Sequence, residues 1–109
     1  MPVINKNNIQ LACEYLANTL ISKNHDYGNS VEEQYKEYGD TSLTIRIDDK
    51  LRRLKQLQKS PAKVNEKEQE TYLDAAGYAI LAYIIKLAEN ERPDMNFDTH
   101  KYFDQDDQH

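Results

Sequence analysis

The stretch that decides the fold is Leu43–Leu57, LTIRIDDKLRRLKQL. Its apolar residues, Leu43, Ile47, Leu51, Leu54 and Leu57, recur at the three-and-four spacing of a helix with one core-facing stripe. Arg46, Asp49, Lys50 and Arg53 fall together along one flank of that stripe. A charge set beside buried surface must be paired or must meet something of opposite sign, because desolvating it alone is too costly. Two readings follow. Asp49 and Arg53 form an i,i+4 pair, or the three cations form a rim that faces phosphate.

Working outward, Gly39 reads as the C′ residue of a short helix, Val31–Tyr38, with Asp40 or Thr41 capping the next one. Ser30 and Glu33 have the spacing of a capping box at the start of that short helix. Glu33 and Glu37 share one of its faces and read as solvated. Further back, Ile9, Ala12, Cys13, Leu16 and Leu20 mark a first helix over Asn7–Lys23, with Cys13 as a small core residue. The polar segment Asn24–Asn29 reads as a compact loop, with Gly28 the natural site for positive φ. Downstream, Pro61 stops the central helix near Lys59. Asn65 and Glu68 signal the start of the longest helix, Glu66–Asn90. Its stripe is Leu73, Ala76, Gly77, Ile80, Tyr83, Ile84 and Leu87, and Leu81 and Ile85 widen it. A helix so broadly apolar touches more than one neighbour, and in so short a chain the extra neighbour is expected to be another subunit. The fold class is all-α, a helical bundle of about four helices packed with other subunits.

Composition sets the outer limits. A chain of 109 residues builds one core. The expected division is a helical domain over 1–93 and an acidic C-terminal tail over 94–109. That tail holds five Asp and one Lys, so of the net charge of −5 about −1 belongs to the body. A nearly neutral body disfavours nonspecific binding of duplex nucleic acid. A local basic rim suits a small anion better. With one cysteine there is no internal disulfide framework. No apolar run is long enough for a bilayer and the N-terminus is polar, so a cytoplasmic protein is expected.

The chemistry-bearing residues lie on the two long helices and the polar segment. Glu70, Asp74 and Tyr78 recur every four residues on one edge of the last helix. Antiparallel packing brings that edge against Arg46, Lys50 and Arg53. Carboxylates on facing bundle helices hold Mg²⁺, which makes Asp49, Glu70 and Asp74 candidate metal ligands. Cations beside them suit phosphate oxygens. A ligand-free interhelical salt-bridge network uses the same residues. Lys23, Asn24, Asp26 and Tyr27 add polar groups, with Tyr27 or Tyr78 able to stack on a base. His25 has no second His or Cys at ligand spacing.

Three segments in order, KNHDYGNS (23–30), RIDDKLRRL (46–54) and ETYLDAAGYAIL (70–81), resemble the small phage and bacterial domain family of unknown function labelled "nucleotide modification associated". The resemblance runs from about Leu20 to Leu87. It places Lys23, Asn24, Asp26, Tyr27, Gly28, Arg46, Asp49, Lys50, Arg53, Asp74 and Tyr78 on motif positions, and it implies a nucleotide ligand. More distantly, the chain is similar to the all-α MazG-like nucleoside triphosphate pyrophosphohydrolases, which hold Mg²⁺ with paired acids on two helices. Here Glu70 and Asp74 are four apart instead of three, and Asp48-Asp49 stands among Arg and Lys. Three functions are therefore expected as alternatives. One is Mg²⁺-dependent nucleotide pyrophosphohydrolysis. The second is non-catalytic capture of a nucleotide or cyclic-nucleotide-type second messenger of host defence, in the host cytoplasm if the protein is phage-encoded. The third is a helical interaction module without ligand.

Overall fold

The computed structural model describes residues 2–27, 29–59 and 65–91. These form four helices, α1 (Lys6–Tyr27), α2 (Ser30–Tyr38), α3 (Asp40–Gln58) and α4 (Asn65–Glu91), and among the described residues there is no strand. The all-α bundle is as expected. The expected acidic tail, 94–109, lies outside the described residues, as does Gly28.

The helix ends differ from expectation in instructive ways. α1 starts earlier because Asn5 caps it: its Oδ1 accepts from the Asn8 amide at 2.8 Å. α1 also continues through Asn24–Tyr27, so the expected loop is mostly a last helical turn. The reversal falls on Asn29, which adopts left-handed φ 61° without a side-chain cap. Ser30 is therefore the first helical residue, and the Ser30–Glu33 capping box does not form. Gly39 does close α2, donating its amide to Tyr35 O at 2.8 Å, with φ 78° that a Cβ would disfavour. The same residue is the N-cap of α3, displacing Asp40 and Thr41 from that role. Ser42 donates both its amide and its hydroxyl to Gly39 O. α3 ends at Gln58, just ahead of the expected stop. The cap expected of Asn65 falls on side chains outside those described.

α3 packs antiparallel on α4, α2 lies on α3, and α1 touches α4 more lightly. Leu43 and Leu54 of α3 and Ile85 and Ala88 of α4 are the buried apolar residues, with Thr71 buried among them. Each such Leu or Ile contributes about 1.5–3 kcal/mol on burial. The face of α4 turned to α3 and α2 runs Thr71, Asp74, Tyr78, Leu81, Ile85 and Ala88. This corrects the expected stripe, of which Ala76, Ile80 and Tyr83 are exposed. Leu51, Ile9 and Cys13, expected in the core, are exposed too. For α1 and α4 the reason is that the two helices meet near Leu16, Leu20 and Gly77, and no other described residue covers the rest. At that contact a Cβ on Gly77 would stand 3.0 Å from Leu20 Cδ2. The absent side chain is what lets α1 come so close.

A polar clamp joins α2, α3 and α4 at the far end. Tyr35 Oη donates to Glu89 Oε2 at 2.5 Å, and Lys86 Nζ donates to Asp40 Oδ1 and Glu89 Oε1, each at 3.0 Å. Lys86 also lies 5.8 Å from the centre of the Tyr35 ring. The Tyr35 hydrogen bond, and then the Lys86 one, hold the Glu89 carboxyl below the usual carboxylate range. The same bond to Glu89 raises the Tyr35 phenol.

Two outcomes are expected. Gly77→Leu should destabilise the protein by about 1–3 kcal/mol through overpacking against Leu20, whereas Gly77→Ala, which needs only a small shift of one methyl, should be near neutral in thermal melts. For the clamp, a carboxyl with a depressed folded pKa stabilises the fold above its unfolded value of about 4.3, and that contribution is lost as pH falls through the folded value. The Tm gap between wild type and Tyr35→Phe should therefore narrow between neutral pH and about pH 3. A gap that does not change with pH would show that the tyrosine acts through packing alone.

Candidate functional site

The antiparallel α3–α4 pair sets the site. Asp74 and Tyr78, which interrupt the inward face of α4 one turn apart, each meet a cation of α3. Lys50 Nζ lies 3.2 Å from Asp74 Oδ2. One turn along, Arg46 Nη1 donates to Tyr78 Oη at 3.3 Å, and its guanidinium carbon stands 5.3 Å from the ring centre. From α1, Lys23 Nζ comes within 3.6 Å of the other Asp74 oxygen. Three cations from two helices thus gather round one carboxylate and one tyrosine.

Arg46 is half-buried, and its recorded partners are neutral. Besides Tyr78 it donates from Nε to Gln34 Oε1 of α2 at 3.1 Å, and from Nη2 to the same oxygen. No carboxylate among the described residues lies within ion-pair distance of it.

These groups open onto a cleft of about 300 Å³ between α1 and α4. Leu16, Leu20, Leu73, Gly77 and Leu81 form its apolar wall, and Lys23, Asn24, Arg46, Asp74 and Tyr78 its polar end. A second, more open groove of about 620 Å³ lies on the other side of Arg46 and Tyr78. Lys50 and Asp49 line it, with Gln34, Tyr38, Thr41 and Ser42 from α2 and the start of α3.

The sequence-derived candidates divide accordingly. Lys23, Asn24, Arg46, Asp74 and Tyr78 meet in the cleft, and Lys50 reaches it through Asp74. Asp26 and Tyr27 stand in the last turn of α1, with side chains outside those described. Arg53 is exposed and lines neither opening. The i,i+4 pair recorded on α3 is Asp48–Arg52, at 2.6 Å and fully on the surface side, not the anticipated Asp49–Arg53. The three metal candidates are not gathered: Asp74 is in the cleft, Asp49 borders the neighbouring groove, and Glu70 is exposed. Among the described residues no three Asp, Glu, His or Cys side chains form a group able to hold a metal ion. Asp74 is moreover already shared between two ammonium groups. The donor set among the described residues does not fit a carboxylate-held Mg²⁺.

Sequence reasoning missed Gln34. The signal for it is the pair Val31 and Tyr35 at i and i+4, which marks the inner face of α2 and puts Gln34 beside it. The Tyr35–Glu89–Lys86–Asp40 clamp was missed as well. It joins residues far apart in the chain and has no local pattern.

Among the described residues no helix is long and apolar enough to cross a membrane. No curated protein and no solved structure matches the chain. A family model described as nucleotide modification associated domain 1 matches residues 23–87, which is more than half of the sequence. The match begins at Lys23 and takes in all of α2 and α3 and most of α4, and so nearly every polar group of the cleft. The chain belongs to the nucleotide modification associated domain 1 family.

Proposed function

We propose that the cleft between α1, α3 and α4 binds a phosphorylated nucleotide without cleaving it. The observation that carries this reading is Arg46. A half-buried guanidinium with neutral partners is a costly group to maintain in a fold, and here it faces a cavity lined by Lys23, with Lys50 held behind Asp74. The chain as a whole carries a net charge of −5, so this local excess of positive charge is set against the general balance. A phosphate placed there receives charge-assisted hydrogen bonds from a planar guanidinium and the Lys23 ammonium, with the Lys50 charge close by on Asp74. Asp74 serves as the resident counter-charge that holds the two lysines in position before the ligand arrives. The base then lies on the apolar wall of Leu16, Leu20 and Leu73. The cavity is at the lower end of the ~300–1,000 Å³ typical of small-molecule sites, which suits one nucleoside unit. The family description, which speaks of nucleotides, agrees in ligand class.

Binding is favoured over hydrolysis by the donor set. Asp49, Glu70 and Asp74 do not converge, whereas the cations do. A panel of nucleoside mono-, di- and triphosphates incubated with the protein and Mg²⁺ should accordingly be recovered intact by chromatography, with one or more retained by the protein. Release of pyrophosphate or inorganic phosphate would contradict the non-catalytic reading.

Arg46→Ala should weaken the retained nucleotide by about 1.5–3 kcal/mol, or roughly 10- to 150-fold in Kd. The free protein should melt close to wild type, since no carboxylate loses its partner. Asp74→Asn should leave nucleotide affinity unchanged or improve it. If the charges were only a structural network, both substitutions would lower Tm and neither would change a ligand-induced shift. Isothermal titration and thermal melts of the two variants separate the cases.

A further inference from the structure

We propose that a second copy of this chain packs on the outer face of α4, helix against helix and antiparallel, about a two-fold axis passing between Ala76 and Ala79. The face in question is the arc of α4 turned away from α1, α2 and α3. It consists of Tyr72, Ala76, Ala79, Ile80 and Tyr83, all exposed, with Tyr72 at 57%, Ile80 at 41% and Tyr83 at 59%. It covers roughly 100° of the helix circumference and carries no charge. The outward arc of a surface helix is ordinarily its charged side, and a helix apolar all round is one that is covered all round.

The order of residues identifies the occupant. Tyr72, Ala76, Ala79 and Tyr83 are spaced four, three and four apart, the a/d spacing of a helix seam. The order is also palindromic: large, small, small, large. Turned end for end, the stripe presents the same profile, so each Tyr72 meets a Tyr83 of the other copy while the alanines let the two backbones approach. Beyond Tyr72 the stripe ends at Gln69, and beyond Tyr83 it ends at Lys86, whose ammonium is turned to Asp40 and Glu89. A closed two-fold contact requires this self-complementarity, in which residue i touches j and j touches i. A different partner does not.

Charge and area agree. Two chains of net −5 can meet only where like charges do not face one another, and the stripe is uncharged between Gln69 and Lys86. The apolar area of the contact is that of Tyr72, Ala76, Ala79, Ile80 and Tyr83. Together these side chains offer on the order of several hundred Å² per copy, approaching the ~800 Å² per partner of a standard interface. The inference is independent of the nucleotide reading, since Asp74, Gly77 and Tyr78 lie on the other side of the helix.

Sedimentation equilibrium at micromolar concentration tests it. Wild type should run at twice the 12.8 kDa chain mass. Ala79→Glu, at an exposed position, should run at the single-chain mass with an unchanged far-ultraviolet helical spectrum. In a Cys13→Ser background, oxidising a mixture of Ala76→Cys and Ala79→Cys chains should give more cross-linked dimer than either alone, as the antiparallel register requires. A wild type of single-chain mass would overturn the proposal. So would a dimer that survives Ala79→Glu, or a mixture that cross-links no better than its components.

Discussion

The constraint on which the rest depends is the composition of α4's inward face. Thr71, Asp74 and Tyr78 occupy its first half, and Leu81, Ile85 and Ala88 its second. When α3 packs on that face antiparallel, its own flank of Arg46 and Lys50 must take up positions beside the polar members. Lys50 then pairs with Asp74, and Arg46 lies over Tyr78. Apolar packing at Leu43, Leu54, Ile85 and Ala88 fixes the register, and the register fixes which charges meet. Stability and the candidate site are consequences of one helix pairing. A half-turn slip of α3 would bury Ile45 in place of Leu43 and dissolve both.

Charge accounting then separates the two ends of the bundle. At the α2–α3–α4 end, Lys86 is matched by Asp40 and Glu89, and Tyr35 by Glu89. Every strong group there has a strong partner, and the cluster reads as a fastening. At the cleft the balance is uneven, with Lys23, Arg46 and Lys50 against Asp74. Imbalance of this kind is tolerated where a ligand supplies the missing charge. The closeness of α1, which completes the cleft, rests on the missing side chain of Gly77.

Much of this was legible in the chain itself. The three-and-four spacing of Leu43–Leu57 located α3 and its basic flank, and Gly39 located the α2–α3 junction. Antiparallel helices were enough to bring Arg46 and Lys50 to Asp74 and Tyr78. The orientation of α4 was not legible, because apolar residues occur all round it and a stripe count cannot tell which side meets the same chain. The polar residues Thr71 and Asp74 marked the covered side, against the usual rule that apolar residues point inward. The last turn of α1 was also obscured. Asn24, His25 and Asp26 favour turns, yet the helix runs on to Tyr27. The gathering of acids expected from Asp49, Glu70 and Asp74 did not follow from helical spacing alone. Facing helices place one residue per turn at the seam, and Asp74 held that place.

The central claim is that the uneven charge of the cleft exists to receive a nucleotide phosphate. The most direct measurement is a titration of the isotopically labelled protein with a nucleoside triphosphate, followed by amide and side-chain NMR shifts, with the matching unphosphorylated nucleoside as control. The account predicts saturable shifts confined to Lys23, Asn24, Arg46, Lys50, Gly77 and Tyr78, and weak or absent ones with the nucleoside. Shifts that are absent, that scatter over the surface, or that centre on the Tyr35–Glu89 end would contradict it.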